Sequence, residues 1–104
     1  MAAMPWTYLL RCADDSFYVG STGRPIEARL QEHMDGIGAE YTKRRRPVTL
    51  AWAGEFETTA EAYAMERRVH GWSRKKKLAL IAGDWDAVRA AARRRGVPKR
   101  QRSI

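Results

Sequence analysis

The first third of the chain alternates between strand-forming residues, turn formers and a helical stripe. Trp6–Cys12 and Phe17–Gly20 are rich in aromatic and β-branched residues, and Asp14–Ser16 between them favours a turn, so these segments predict a β-hairpin. Pro25 suits the first turn of a helix, where its missing N–H needs no partner. The stretch from Pro25 to about Met34 has apolar residues every four positions, which predicts a helix with one apolar stripe. The members of that stripe are Ile26, Leu30 and Met34.

The second half predicts one strand followed by helices. Val48–Phe56 reads as a third strand. Thr58 and Glu61 match a capping box, in which each residue satisfies a backbone N–H of the other, and they open a helix that Gly71 interrupts. The apolar stripe of that helix is Ala62, Met65, Val69 and Trp72. The resulting order, β-β-α-β-α-α, predicts the α+β class, with a small antiparallel sheet flanked by helices.

Two further helix starts follow. Ser73 can cap a short helix that runs to about Ala82, and Asp84 can cap a last helix from Trp85 to about Arg95. We expect residues 1–82 to form the main domain. Residues 83–104 would then add a C-terminal helix and a short, charged, mobile tail, Lys99–Ile104, that packs on this domain or extends from it.

The register of the hairpin decides whether two tyrosines share a face of the sheet. A three-residue loop at Asp14–Ser16 pairs Cys12 with Tyr18 and places Tyr8 and Tyr18 on one face, because side chains alternate with period two. A two-residue loop would pair Arg11 with Tyr18 and separate the tyrosines. We predict the odd-length loop.

Composition narrows the class of protein. The 104 residues fit one domain, and the single cysteine excludes an intramolecular disulfide and a multi-cysteine zinc site. The chain has no run of about 18 apolar residues that could span a membrane, and its start lacks the features of a secretory signal. We therefore expect a cytoplasmic protein, and we favour a monomer.

Charge is the strongest global signal. Twenty Lys and Arg residues oppose twelve Asp and Glu residues, for a formal net charge of +8. Such a field attracts polyanions, of which nucleic acid is the most abundant in a cytoplasm. An anionic membrane surface is the alternative, but the basic residues are not confined to one amphipathic helix. A basic protein with an ordinary solvated surface is the plainest alternative.

Basic runs and one glycine-containing loop could contact phosphates. Gly20–Gly23 precedes a helix and can present backbone N–H groups, although it lacks the Lys-Ser/Thr of a nucleoside-triphosphate loop. Arg93–Arg95 adds a further basic run. Each run could equally be solvated surface, and only their number indicates a binding face. The residues that we expect to contact nucleic acid are Ser21, Thr22, Lys43, Arg44, Arg45, Arg46, Arg74, Lys75, Lys76 and Lys77.

Four residues of the first half could form a catalytic cluster. Phenolate chemistry at Tyr8 or Tyr18 needs a nearby cation, because the ordinary pKa of tyrosine is about 10. Arg29 and His33 lie four residues apart on one helix face, where arginine can grip a phosphate and histidine can hold a proton. The competing interpretation is two packing tyrosines and a solvated helix face.

Glu66 lies at the edge of an apolar stripe, where a carboxylate is costly unless it is paired or binds a metal. Its oxygens suit Mg²⁺, which commonly takes one or two carboxylates and keeps several waters. The alternative is a salt bridge to Arg67, Arg29 or another cation. From the residues alone, the two interpretations are about equally supported.

Together these residues resemble the GIY-YIG nuclease family, and in length they are similar to its small stand-alone YhbQ-like members. Trp6-Thr7-Tyr8 and Tyr18-Val19-Gly20 match the two motifs that name the family, and Trp72-Ser73-Arg74 takes the place of a Leu-Ser-Arg-like segment. The likeness covers about Trp6 to Ile81. The first motif keeps only its tyrosine, and the second has valine for isoleucine. Many members carry an asparagine downstream of the glutamate, whereas this chain has none, which makes Lys75, Lys76 and Lys77 the candidates to replace it.

The resemblance implies a three-stranded antiparallel sheet and hydrolysis of phosphodiesters with one Mg²⁺ or Mn²⁺ ion, with DNA favoured over RNA and a repair or processing role. It also implies roles for the site residues. Tyr8, with Tyr18 competing, would act as general base, and His33 would orient a tyrosine or donate to phosphate. Arg29 would hold the scissile phosphate and Glu66 the metal. The alternative is a non-catalytic nucleic-acid-binding module with the same fold.

Overall fold

The fold is an α+β arrangement in which one antiparallel sheet carries helices on both faces, as the sequence predicts. The computed structural model describes residues 4–84 and the backbone of residues 100–103. In those ranges the sheet order is β2-β1-β3-β4, and β2-β1-β3 is the predicted three-stranded sheet. The elements are β1 (Trp6–Arg11), β2 (Phe17–Thr22), α1 (Ile26–Met34), α2 (Glu40–Lys43), β3 (Thr49–Glu55), α3 (Thr59–His70), α4 (Arg74–Ala82) and β4 (Arg100–Ser103).

One face of the sheet packs against α3 and α4. Leu9 and Trp52 point from β1 and β3 into a cluster with Met65 and Val69 of α3, and all four side chains are almost fully buried. Thr7 also reaches this side, where its hydroxyl donates to the carbonyl of Ala62 at 2.5 Å. Burying a large apolar side chain contributes about 1.5–3 kcal/mol, so these residues fix α3 against the sheet.

The helix boundaries on this face follow the predicted capping signals. Thr58 and Glu61 form the capping box in both directions, and Gly71 ends α3. The hydroxyl of Ser73 then accepts from the backbone N–H of Lys76 and starts α4. The capping signals therefore locate both helices to within a residue or two.

The opposite face packs against α1 and α2. Tyr8, Leu10 and Ala53 lie in a second buried cluster with Ile26 of α1. The buried residues of α1 are Ile26 and His33, whereas Met34 is exposed. The predicted stripe is therefore wrong at its last position, because the helix turns His33 inward instead.

The hairpin has the predicted parity but a different register. Tyr8 pairs with Gly20 and Leu10 pairs with Tyr18, so Tyr8 and Tyr18 do point to the same face. The predicted pairing of Cys12 with Tyr18 is wrong, because the N–H of Cys12 donates to the carbonyl of Ser16. The three-residue loop is thus Ala13–Asp15, one residue earlier than predicted.

Two elements were not predicted. The short helix α2 ends at Lys43, the first of the basic residues Lys43–Arg46 that were expected to contact nucleic acid. Arg100–Ser103, predicted to be part of a mobile tail, pairs antiparallel with β3 as a fourth strand, with Trp52 opposite Ser103.

The predicted last helix, Trp85 to about Arg95, lies outside the described residues. In the ranges that the structure describes, no helix is long and apolar enough to cross a membrane.

Candidate active site at the open edge of the sheet

Two tyrosines and a histidine form an aromatic cluster between the sheet and α1. The ring centroids of Tyr8 and Tyr18 lie 6.4 Å apart, and the His33 ring lies 5.5 Å from Tyr8 and 5.2 Å from Tyr18. Tyr8 is on β1 and Tyr18 on the neighbouring edge strand β2, so the hairpin register itself brings them together. The fold thus brings these three side chains, each predicted as a site residue, into contact.

A chain of short hydrogen bonds runs from Tyr8 into the interior. The hydroxyl of Tyr8 lies 2.8 Å from Nε2 of His33, and Nδ1 of His33 lies 2.8 Å from Oγ1 of Thr42 on α2. The Thr42 hydroxyl also lies 3.1 Å from the carbonyl oxygen of Ala39. Tyr8, His33 and Thr42 are each at most 1% exposed, so this polar chain is shielded from solvent.

Burial sets the protonation state of the cluster. It raises the pKa of Tyr8 to about 12, although the hydrogen bond and charge of Arg29 oppose the shift. It also raises the pKa of Tyr18. Burial, with the Arg29 charge adding to it, lowers the pKa of His33 to about 4. At neutral pH both tyrosines are therefore phenols and His33 is an uncharged imidazole.

Arg29 is held in place by three partners. Its Nε donates to the Tyr8 hydroxyl oxygen at 3.3 Å, one terminal nitrogen donates to Glu32 at 2.8 Å, and the other donates to the Gly38 carbonyl at 3.1 Å. Its side chain is only 22% exposed. A guanidinium has five N–H donors, so two have no partner among the described residues and are oriented by the other three for a ligand.

Glu32 is a site residue that sequence reasoning missed. It binds Arg24 through two hydrogen bonds of 2.6 and 2.8 Å as well as Arg29. Hydrogen bonds from these two arginines, of which the one from Arg24 has the larger effect, lower the pKa of Glu32 to about 2. The available signal was its spacing, three residues after Arg29 on one helix face, where opposite charges meet. Thr42 was also missed, and its place just before the basic residues Lys43–Arg46 gave no sign of burial.

Two glycines leave room for the cluster. A Cβ on Gly20 would lie 2.5 Å from the hydroxyl oxygen of Tyr8, and a Cβ on Gly38 would lie 2.5 Å from Nδ1 of His33. Real Cβ atoms essentially never approach other atoms this closely. The glycine of Tyr18-Val19-Gly20 therefore lets the Tyr8 ring lie across the neighbouring strand.

Glu66 on α3 presents a half-buried carboxylate to the edge strand β2, where its charge acts on both tyrosines. Ser21 on β2 donates to its Oε1 at 2.6 Å, and its negative charge contributes to the raised pKa of Tyr8 and of Tyr18. Among the described residues no ion pair involves Glu66, and the carboxylate partner of Arg29 is Glu32 instead. The salt-bridge alternative therefore finds no support there.

The donor set fits a hydrated Mg²⁺ and not a multi-ligand cage. Within residues 4–84 and 100–103 no group of three His, Cys, Asp or Glu side chains converges. A single carboxylate oriented by a hydroxyl is a sufficient protein ligand for Mg²⁺, which commonly completes its shell with waters and substrate phosphate. Glu66, with Ser21 behind it, is the residue that would hold such an ion.

Most of the predicted phosphate-binding arginines have internal partners. Arg74 donates to the carbonyl and the carboxylate of Asp15, and Arg45 donates to Asp14 and stacks on the Tyr41 ring. Arg44 pairs with Glu40, and Arg46 donates to backbone carbonyls. Lys43 and Lys75 are exposed and Lys76 is half-buried. Ser21 holds Glu66, and the Thr22 hydroxyl accepts from the N–H of Arg24.

Lys77 differs from the other basic residues. It is half-buried and lines a cleft of about 310 Å³ beside the edge strand β2. Burial, with the Arg74 charge adding to it, lowers its pKa, and within the described part of the chain it makes no ion pair. The cleft is lined by Phe17, Tyr18, Val19, Tyr41, His70 and Lys77.

Comparison with known proteins agrees with this geometry. Residues 4–79 match the model of the GIY-YIG catalytic domain. The chain belongs to the GIY-YIG family of nuclease domains, which act on nucleic acid and generally depend on a divalent metal. The family predicted from the motifs is thus confirmed.

Within that family the chain groups with the UPF0213 proteins. It is 43% identical over 77 residues to a UPF0213 protein of Staphylococcus saprophyticus, covering 74% of this chain and 93% of that protein. UPF0213 proteins of Staphylococcus aureus are 41% identical over 76 residues, covering 73% and 92%. A solution NMR structure of a UPF0213 protein from Bacillus halodurans has 36% identity, covers 75% of this chain and 82% of that one, and gives a TM-score of 0.49.

Proposed function

We propose that this protein is a metal-dependent endonuclease that hydrolyses phosphodiester bonds, with DNA as the favoured substrate and the cytoplasm as its compartment. The observation that carries the proposal is the convergence of Tyr8, Tyr18, His33 and Arg29 on one face of the hairpin, with the Glu66 carboxylate nearby. The buried Tyr8 phenol, the half-buried Arg29 guanidinium and the half-buried Glu66 carboxylate, which makes no ion pair among the described residues, serve no packing purpose that apolar residues would not serve better.

Tyr8 is the general base in this proposal. Its oxygen contacts both Arg29 and His33, whereas no hydrogen bond of the Tyr18 hydroxyl is found among the described residues. A base must reach the proton that it removes and must also dispose of its own proton, and Tyr8 alone has a partner for that purpose. Tyr18 lines the cleft and would face the substrate strand.

Arg29 and Glu66 supply the electrostatic part. The free N–H groups of Arg29 would hold the scissile phosphate and stabilise the charge that develops on its oxygens. Glu66 would bind Mg²⁺ or Mn²⁺, which when bound supplies Lewis-acid stabilisation worth several kcal/mol. Ser21 would keep Glu66 oriented through their 2.6 Å hydrogen bond.

The nucleic-acid strand would follow the open edge of β2. The cleft there has aromatic walls that include Tyr18, and Lys77 in it makes no ion pair with any described carboxylate. A half-buried cation without a carboxylate partner suits a phosphate of the backbone. Of the three lysines that could replace the missing asparagine, Lys77 is therefore the favoured one.

A cleavage screen tests the proposal. Single-stranded, duplex, flap and branched substrates, as DNA and as RNA, are incubated with Mg²⁺, with Mn²⁺ or with chelator. We expect metal-dependent nicking of at least one DNA substrate, and a fall by orders of magnitude in Glu66→Gln. The exposed Glu57 provides the matched control, and Glu57→Gln should cleave like the parent.

Binding and stability of Glu66→Gln complete the test. The affinity of Glu66→Gln for duplex DNA without metal should stay the same or increase, because the substitution removes one negative charge from a basic protein. The melting temperature should change little, since no described cation is stranded by the amide. Undiminished cleavage by Glu66→Gln rules out the metal role. Tight binding without cleavage by the parent would favour a non-catalytic binding module.

A further inference from the structure

The direction of every hydrogen bond from Ala39 to Tyr8 follows from one backbone carbonyl. The Ala39 carbonyl can only accept, so the Thr42 hydroxyl donates to it, at 3.1 Å. That contact uses the single proton of the hydroxyl. At its other contact Oγ1 of Thr42 must therefore accept, and the donor, at 2.8 Å, is Nδ1–H of His33.

The order continues through the imidazole to Tyr8. Because burial lowers the pKa of His33 to about 4, the ring carries one N–H at neutral pH, and Thr42 assigns it to Nδ1. Nε2 then holds a lone pair and accepts the Tyr8 O–H at 2.8 Å. The contact of Tyr8 with Arg29 agrees with this order, because Nε of Arg29 can only donate and the Tyr8 oxygen accepts from it.

We propose that Thr42 is a positioning residue of the active site: it holds the His33 proton on Nδ1 and so makes Nε2 the acceptor for the proton of Tyr8. This inference rests on the proposed nuclease function and deepens it. It assigns a role to a residue that acts through another, since Thr42 contacts the ring nitrogen of His33 that is opposite to the one facing Tyr8.

This order allows Tyr8 to act as a base without first becoming a phenolate. One O–H bond of the attacking water breaks, its proton goes to the Tyr8 oxygen, and the original Tyr8 proton moves to Nε2 of His33. The resulting hydroxide forms a new P–O bond while the P–O bond to the leaving oxygen breaks, and the leaving oxygen takes a proton from solvent. His33 then returns its proton through Tyr8 to water, which restores the neutral pair.

The opposite tautomer would block this path. With the proton on Nε2, His33 would donate to the Tyr8 oxygen and occupy a lone pair that the water proton needs. Nδ1 would then face the Thr42 oxygen with no proton between them, unless Thr42 gave up its bond to Ala39. The carbonyl of Ala39 thus favours one tautomer over the other through a single hydroxyl.

The tautomer is measurable in the parent protein without any cleavage assay. Protein labelled with ¹⁵N at histidine gives ¹H–¹⁵N correlation spectra at pH 7 in which protonated and unprotonated ring nitrogens differ widely. His70→Gln identifies the His33 signals, because these are the two histidines of the chain. We expect Nδ1 protonated and Nε2 unprotonated, and the reverse pattern would overturn the proposal even if the protein is an active nuclease.

Two variants then test the positioning role. Thr42→Val keeps the shape but removes the hydroxyl, and Thr42→Ser keeps the hydroxyl. Partners that fix the tautomer and orientation of a metal-ligating imidazole are typically worth about 10–100-fold in activity, and the same range is expected for His33. We expect kcat to fall by about that factor in Thr42→Val with little change in KM, and the Nδ1–H signature to be lost. Thr42→Ser should retain both.

A merely structural Thr42 would behave differently. Thr42→Val would then have a lower melting temperature but an unchanged tautomer and, well below that temperature, an unchanged kcat; this result overturns the proposal. If Thr42→Val does not fold, the spectrum of the parent and the behaviour of Thr42→Ser decide instead. If the parent cleaves nothing, the proposed function fails, while the tautomer measurement still decides what Thr42 does.

Discussion

Acid should destabilise this protein through His33 before its carboxylates titrate. The folded chain holds the pKa of His33 at about 4, against 6.5 for an ordinary histidine, because the ring is buried beside Arg29. Between these values the unfolded chain binds more protons at this position than the folded chain does. The free energy of unfolding therefore falls as the pH falls through this window.

The size of the effect follows from the two pKa values. One unit of difference corresponds to about 1.4 kcal/mol, so the full loss below pH 4 is about 3 kcal/mol. At pH 5 about 2 kcal/mol of it has been lost, which is about 10 °C in melting temperature for a domain of this size. The pKa of Glu32 is lowered from 4.5 to about 2, so Glu32 changes the stability mainly below pH 4.5. The loss of stability between pH 7 and pH 5 therefore comes largely from His33.

The assay is thermal unfolding of three proteins at pH 7 and pH 5 and fixed ionic strength. The parent should lose about 10 °C between these conditions. His33→Gln should lose much less, because an amide can occupy both hydrogen bonds of the ring and does not titrate. His70→Gln is the control, since His70 is exposed, and it should behave like the parent. Equal losses in the parent and in His33→Gln would refute the reasoning.

Three other predictions address the binding face and the packing of the site. A plot of the logarithm of the affinity for duplex DNA against the logarithm of the salt concentration should have a slope well below −1, at about −0.9 per phosphate contacted. An affinity that does not change with salt would argue against a nucleic-acid-binding face. Lys77→Met should weaken DNA binding and reduce the steepness of the salt dependence by about 1, whereas Lys75→Met, at an exposed position of the same helix, should have a smaller effect. Equal effects of the two substitutions would argue against the cleft as the path of the nucleic-acid strand. Gly20→Ala should displace the Tyr8 hydroxyl, lower the cleavage rate and cost about 1–3 kcal/mol of unfolding free energy. As a control, Gly71→Ala, whose added Cβ would have its nearest contact at 3.6 Å, should change stability by no more than about 0.5 kcal/mol. A Gly20→Ala variant as stable as the parent would show that the Tyr8 ring can move aside.

Local signals in the sequence predicted most of the fold. Capping residues located α3 and α4, because Thr58, Glu61 and Ser73 act within their own turn of helix. Alternation along β1 and β2 predicted that the tyrosines share a face. The exact register was missed, because the loop closes between Cys12 and Ser16 with Asp15 at a positive φ of 69°, which the residue types of the loop did not indicate.

Non-local features of the site could not be predicted in the same way. Tyr8, His33 and Arg29 were predictable as candidates from residue type and spacing, but their partners were not. Thr42 meets His33 only because α2 folds back onto α1, and nothing in the sequence before the basic residues Lys43–Arg46 indicates that contact. Likewise, the arginines at positions 45 and 74 looked like phosphate contacts, whereas both are turned toward carboxylates of the hairpin loop. Net charge counts such residues without showing where they point.

The fourth strand has a consequence for how the protein is made. During synthesis β3 must wait for its outer partner, since about 45 residues are added between Glu55 and Arg100. At about 5–20 residues per second, the outer edge of β3 lacks this partner for some seconds. An unpaired edge is a template for wrong pairing with other chains, so the nascent protein exposes an aggregation-prone edge until β4 emerges. Growth temperature and translation speed should therefore affect the yield of folded protein more than its final stability suggests.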